Sequence, residues 1–476
     1  MSTARIIIKN TGILFLGEVI SRLLSFFLII IIARHLGDVG LGKYSFVFAF
    51  VGIFSIFSDF GTNTYMIREL SRDRSLAVKY FGNAFIFKLA VSTIAILLPV
   101  IFIFLTRQPQ EIKIGILLAA VSMFAYYMIF PFKAILTAFE VQSYQSLYLI
   151  SERVIAFILG AFVLYKGYGL LTLLIVLVMS NVTSWILLYK LVSKNIVKLK
   201  PEFDFIFIKS FIKNSFPFWF TIVFMTIYFK IDTVMLSFLK GYAATGWYNA
   251  SYKIIDALSF IPFIVITAVF PVMSKFYAKK HKLLHLLYEK SFYYLSLLAM
   301  PLGLGITLLA NRIILFVYNK EFINSVIALQ ILIWALVLIY INYLMGYLLN
   351  SIDKQKLFTL TTGISVILNI LLNFILIPIY SFKGAAIATV ATEIVNFIML
   401  FNFTSKNGHH INLFRMIYKP FVATIIMGIF LINLSRMHLL ILIPLSMLIY
   451  FVAILLMGGI MKDDIKILLS FVKKQE

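Results

Sequence analysis

The sequence predicts an all-α polytopic membrane protein of about fourteen transmembrane helices: two six-helix repeats followed by two C-terminal helices. Three observations carry that prediction. The 476 residues are 62% hydrophobic and 13% charged, with a mean hydropathy of +1.01, whereas a soluble chain holds roughly 25% charged residues. Apolar runs recur about every 33 residues, and about 20 apolar residues cross a hydrocarbon core. A glycine motif occurs twice, at matching places in the span order. This composition excludes an ordinary soluble enzyme, a disordered chain and a disulfide scaffold. With no Cys, thiolate zinc sites, iron–sulfur clusters and a Cys nucleophile are excluded too, and no cofactor is expected.

The spans fall near 11–33, 44–60, 84–106, 114–137, 147–165 and 169–190, then, after a polar link, near 214–239, 249–270, 291–318, 325–350, 358–379, 384–404, 417–434 and 439–461. Arg5 and Lys9 resemble the start of a signal peptide. The run behind them is too long, contains Glu18 and Arg22, and lacks a small-residue cleavage site, so it reads as the first span.

A net charge of +23 raises nucleic acid as a partner. The distribution argues instead for topology. With the N-terminus in the cytoplasm, Lys and Arg favour the inner segments over the outer loops by about three to one, the positive-inside bias. Both termini are therefore expected in the cytoplasm, with Lys473 and Lys474 in the tail. The link 191–213, carrying Lys194, Lys198 and Lys200, reads as topology plus contact with anionic membrane lipids.

The first glycine motif is Gly37-Asp-Val-Gly-Leu-Gly42-Lys-Tyr44, and the second is Gly241-Tyr-Ala-Ala-Thr-Gly246-Trp-Tyr248. Both read G-x4-G-x-Y, and each opens the span after it. Gly169 and Gly384 likewise open the sixth and twelfth spans, with Asn181 and Asn396 at one depth. An even number of spans per half makes the repeats parallel. The expected parts are 1–200, 201–410 and 411–476. Gly37–Lys43 also fits G-x4-G-K, yet a phosphate-binding loop needs Ser or Thr next, after a strand. Tyr44 follows instead, and Trp247 replaces Lys43 in the second copy. A tight turn explains both copies, with Gly supplying the dihedrals.

Ionisable residues inside spans are costly and mark function by default. Glu18 and Arg22 share one face of the first span with Ser21 and Ser25. Lys230 and Asp232 lie in the outer half of the seventh, and Lys253 and Asp256 toward the outer end of the eighth. Glu152 and Arg153, neighbours in the fifth, are expected to point apart and meet different partners. Lys88 is expected to snorkel to the cytoplasmic interface, and Glu393 to be a protonated buried acid. Charge on the equivalent spans one and seven, and on eight, points to a water-filled cavity between the halves. Pro217 and Pro262 are expected to interrupt the spans flanking it. His281 and His285, in Lys279-Lys-His-Lys-Leu-Leu-His, read as part of a cytoplasmic amphipathic helix rather than a metal site.

One further set of residues carries a resemblance: Ala33-Arg34-His-Leu-Gly37 with Gly42-x-Tyr44, then Asp59-Phe-Gly61 with Arg68-Glu69, in a chain of two repeats joined by a basic link. Over essentially its whole length the chain resembles the polysaccharide transport family. This is the O-antigen flippase-like branch of the multidrug/oligosaccharidyl-lipid/polysaccharide exporter superfamily. The resemblance implies two six-helix bundles around a central cavity that opens to one side at a time. It implies movement of a polyprenyl-pyrophosphate-linked oligosaccharide across the cytoplasmic membrane, no bond chemistry, and polysaccharide-assembly proteins as partners. In such a cavity Arg22, Lys230 and Lys253 would bind phosphate. Glu18, Asp232 and Asp256 would order those cations or couple an ion, and Arg153 would face the inner cavity. A drug/cation antiporter, a lipid II flippase and a membrane glycan polymerase are the alternatives.

Overall fold

The computed structural model describes residues 3–196, 200–279 and 281–459. Lys198, the tail with Lys473 and Lys474, and the side chains of Arg5, Lys9 and Pro217 lie outside the described residues. Fifteen α-helices follow one another among the described residues, and no strand occurs. In chain order they are α1 (Thr3–Phe54), α2 (Thr62–Arg72), α3 (Ala77–Phe104), α4 (Gln110–Tyr127), α5 (Phe130–Ala138), α6 (Gln142–Tyr165), α7 (Leu170–Asn195), α8 (Phe205–Leu258), α9 (Phe260–Lys279), α10 (His281–Val317), α11 (Ser325–Ser351), α12 (Gln355–Tyr380), α13 (Phe382–Lys406), α14 (Leu413–Asn433) and α15 (Leu439–Leu456).

Among the described residues, twelve helical segments are long and apolar enough to cross a membrane. Two of them are far longer than one crossing needs: Leu14–Ser58 with 45 residues and Ile222–Tyr277 with 56. At about 1.5 Å per residue each exceeds twice a hydrocarbon core of about 30 Å. Each is also bent at the first glycine of its motif, Gly37 (φ 68, ψ −171) in α1 and Gly241 (φ 81, ψ −176) in α8. Side chains other than Gly rarely adopt that left-handed φ.

The chain packs as two compact units, Met1–Gly246 and Trp247–Glu476. In the first, α2, α3, α5 and α7 and the start of α8 bury a core that includes Met66, Phe81, Phe132, Ile135, Leu188 and Phe211. The helix after the Gly37 turn breaks at Asp59, whose backbone is extended, and resumes after the left-handed Gly61. Trp219 braces the break: its indole N–H donates to the Ile56 carbonyl at 2.8 Å, and its ring stacks on Phe60.

Lys88 does not snorkel. Its side chain is 2% exposed, with Nζ 3.1 Å from Asp59 Oδ1 and above the Phe130 ring. The break carries a carboxylate to the amine, so a buried partner replaces the interface. The mid-chain link is pinned as well. Asp204 Oδ1 accepts the Phe207 amide, its own amide donates to Asn83 Oδ1, and Lys79 stands 3.2 Å from its carboxylate. These partners, the Phe207 amide first, hold the Asp204 carboxyl below its ordinary range.

In the second unit α12 turns an apolar face outward and a polar face inward. On α12, Leu360, Ile364, Ile367, Leu371 and Phe374 are exposed, while Thr361, Ser365, Asn369 and Asn373 are buried. Glu393 is buried on α13, where Asn342 Nδ2 donates to its Oε2 at 2.6 Å. The helices α14 and α15 pack on α10 through Leu297, Leu309, Met427 and Leu442. Arg312 donates to the carbonyls of Ser435 and Met437, and Tyr450 to that of Leu297.

Two expectations change here. The backbone stays helical through position 217, whereas Pro262 sits in the first turn of α9 after a break at Ser259, where a missing N–H costs little. The His281–His285 segment is the start of α10 and continues into the span behind it, because no Gly or Pro lies between His285 and Ser291.

His285 stacks against His409, which is buried in the turn between α13 and α14. Burial, then His285 and His281, push the His409 imidazole below its ordinary value. Neutral His409 therefore favours the fold, and the unfolded chain takes up the proton first as pH falls. Stability should drop as pH falls below about 6.5. Thermal unfolding at about pH 7.5 and pH 5.5 should show a loss that His409→Gln reduces; an undiminished loss in that variant would assign it elsewhere.

Candidate functional site

The two glycine turns meet. A Cβ on Gly42 would overlap the carbonyl oxygen of Tyr242, and one on Gly246 would overlap that of Asp38. Each turn thus uses its second glycine to seat the residue after the other turn's first glycine. The contact is reciprocal. Below it, the helix after Gly37 and the helix before Gly241 run antiparallel, joined at Phe46–Phe238 and Phe50–Phe238, with the Lys230 stem passing Gly52. Tyr242 donates its hydroxyl to Gln108, and Lys43 pairs with Glu111 of α4.

That pair gives Lys43 a structural role without a nucleotide. An exposed ion pair contributes about 0–1 kcal/mol, and both side chains are partly exposed. Lys43→Ala should therefore shift stability by about 1 kcal/mol or less, read as a near-unchanged unfolding temperature at an unchanged membrane level.

The first half of α1 has three distinct sides. Leu16, Ile20, Leu23 and Phe27 form an exposed apolar side. Gly17, Ser21 and Leu28 form a buried one, where Gly17 abuts Ser146 and Leu28 abuts Gly160 of α6. Glu18, Arg22 and Ser25 form a third. Arg22 Nε lies 3.8 Å from Glu18 Oε2, and these side chains are 51% and 45% exposed. Ionisable side chains are costly against hydrocarbon. The charged side is thus separate from the side formed by Leu16, Ile20, Leu23 and Phe27.

In the same unit Asp232 is buried and Lys230 partly exposed. In the second unit Lys253 Nζ is 3.4 Å from Asp256 Oδ2. Glu152 and Arg153 do not point apart: Arg153 Nε reaches Glu152 Oε2 at 3.0 Å. The long guanidinium arm folds back on its neighbour because Glu152, 5% exposed, has no water to compensate its charge. The sequence reading missed the Lys88–Asp59 pair and the Asn342–Glu393 contact. It also missed the buried polar stripe Thr361, Ser365, Asn369 and Asn373. The four-residue spacing of that stripe was the available signal.

Twelve long apolar segments among the described residues and a pair of interlocked glycine turns define a polytopic integral membrane protein, and its fold is that of the MOP-superfamily transporters. A structure of the lipid II flippase MurJ in an inward closed conformation aligns with a TM-score of 0.78 at 19% identity, covering 92% of this chain and 97% of that one. An inward-facing multidrug resistance MATE transporter of the MOP superfamily aligns with a TM-score of 0.68 at 15% identity, covering 81% and 94%. The profile described as Polysaccharide biosynthesis protein matches residues 7–277, and the chain belongs to that family. A MatE profile matches residues 217–375. Among relatives, the probable low-salt glycan biosynthesis flippase Agl15 of Haloferax volcanii is 25% identical, across 85% of this chain and 84% of its own. The uncharacterized membrane protein MJ1068 of Methanocaldococcus jannaschii is 26% identical across 69% of this chain, and the match spans 65% of that relative's length.

Proposed function

We propose that this protein is a flippase for a polyprenyl-diphosphate-linked oligosaccharide in the cytoplasmic membrane, used in building a surface polysaccharide or glycan. The observation that carries the reading is Arg22, half-exposed on a charged side of α1 that is separate from the apolar side. A diphosphate headgroup and a glycan cannot cross hydrocarbon unaided. A guanidinium offers phosphate a planar fork and stays charged. Lys230 and Lys253 would add phosphate contacts, with Glu18, Asp232 and Asp256 ordering the cations or coupling an ion.

Both termini would be cytoplasmic. Each long bent segment would cross twice, giving fourteen crossings in the parts 1–200, 201–410 and 411–476. The interlocked turns would close the outer side while the inner side is open, the exchange that alternating access needs. The name of Agl15, a glycan biosynthesis flippase, supports the substrate class. A second reading, with the headgroup of lipid II, is favoured by the likeness to MurJ.

The test is deletion of the gene followed by mass spectrometry of lipid-linked oligosaccharides. Accumulation of an oligosaccharide on a polyprenyl diphosphate supports the first reading, and accumulation of lipid II the second. An unchanged pool of both would contradict the assignment.

A further inference from the structure

We propose that His409 is a pH-sensitive pin: neutral, it docks the turn between α13 and α14 onto the start of α10, and protonation releases that turn. The inference stands apart from the transport reading above and needs no substrate.

The turn follows from its sequence. Gly408 (φ 87) ends α13. Its amide donates to the Ser405 carbonyl, and the His409 amide donates to that of Thr404, each at 3.1 Å. In this left-handed helix ending, the residue after the glycine ordinarily makes an apolar contact. Here that residue is an imidazole, 7% exposed, packed against α10. The Tyr288 ring meets it edge-on at 6.3 Å, and the His285 ring lies stacked on it at 6.0 Å. A neutral imidazole can fill such a place, whereas burial penalises an imidazolium.

The surroundings disfavour a cation. The Nδ1 atoms of His409 and His285 are both buried without a hydrogen-bond partner among the described residues. Burial first, then His285 and His281 of α10, hold the His409 imidazole below its ordinary value. His285 Nε2 stands 3.5 Å from Glu289 Oε1. That carboxylate favours a proton on His285, and so a like charge opposite His409. Beside the turn, His410, Lys406 of α13 and Arg415 of α14 are exposed and add no acid. The carbonyl end of α13 favours a cation here, and burial with the two imidazoles outweighs it.

The released form thus binds the proton more tightly than the docked form. Docking is complete above the ordinary imidazole value of about 6.5 and is lost as pH falls below it. Release would free the joint that leads into α14 and α15, the two helices after the expected repeats. α14 packs on the stretch of α10 that follows the pin.

The chain has no Cys. Lys282→Cys on α10 and Arg415→Cys on α14, both at exposed positions, therefore give a single spin-labelled pair in the full chain. Electron paramagnetic resonance in detergent reads their separation at about pH 7.5 and about pH 5.5, on either side of the imidazole range. The higher pH should give one distance. The lower pH should add a longer one that disappears when the pH is restored. The released-to-docked ratio should rise by up to about tenfold per pH unit, the slope set by one proton. His409→Phe keeps a buried ring and takes up no proton, so it should hold the single distance at both values. His285→Phe keeps the stack and removes the opposing charge, so release should need a lower pH. The second variant decides the matter if the first does not fold.

A wild-type distance that ignores pH would overturn the pin. So would a release that persists in His409→Phe or is unshifted in His285→Phe. A loss of helix content accompanying the longer distance would also contradict it, because the event would then be general unfolding rather than release of one turn.

Discussion

Gly42→Val should abolish transport, and Gly246→Val should do the same. A Cβ at either position overlaps a backbone carbonyl of the opposite turn, and backbone cannot swing aside as a flexible side chain can. Overpacking commonly costs about 1–3 kcal/mol, and more where neighbours cannot move. The loss falls on the state in which the turns are docked, so the proposed alternating access should fail even where the helices still insert. Gly42→Ala should already reduce transport at least tenfold. Gly169→Ala is the matched control: φ there is −84 and nothing lies within 4 Å of the added carbon, so it should behave as wild type. Transport per folded molecule, at equal membrane levels, is the readout. Wild-type transport by Gly42→Val would mean that the docked turns are not part of the working cycle.

Arg22→Ala should give the second large effect, a loss of transport of about 10- to 100-fold, the worth of a bidentate charge-assisted contact. Arg22→Lys should recover part of it, since charge remains and the fork does not. Lys230→Ala and Lys253→Ala should be milder. If Arg22 served only packing, membrane level and unfolding temperature would fall in parallel with activity. The exposure of its side chain argues that they will not. Normal transport per molecule in Arg22→Ala would remove it from the substrate surface.

Hydropathy and the repeat made the helical architecture legible. A run of apolar residues must be helical to satisfy its backbone in lipid, and the paired G-x4-G-x-Y segments marked the two bends that the structure shows at Gly37 and Gly241. Their mutual docking was not legible, because nothing local to Gly42 encodes Tyr242, a residue 200 positions away in the numbering. Partner choice failed for the same reason. Lys88 read as a snorkelling cation because its partner, Asp59, is supplied by a helix break that brings distant segments together. Glu152 and Arg153 read as diverging because helical spacing fixes where side chains leave the backbone. It does not fix where a long guanidinium arm ends. The charged side of α1 was legible in Glu18, Arg22 and Ser25, near neighbours on a single helix that need no tertiary contact to share a face, whereas Ser21, read onto the same face, is buried beside Gly17.

The most direct test of the central claim is translocation by the purified protein alone. Full-length chain is reconstituted into liposomes that contain a fluorescent polyprenyl-diphosphate oligosaccharide in both leaflets, with no nucleotide present. A membrane-impermeant quencher then reads how much substrate reaches the outer leaflet. The flippase account expects bleaching to proceed beyond the half that starts outside, faster than in protein-free vesicles and slowed by Arg22→Ala. Bleaching that stops at one half with folded wild-type protein, as in protein-free vesicles, would contradict it.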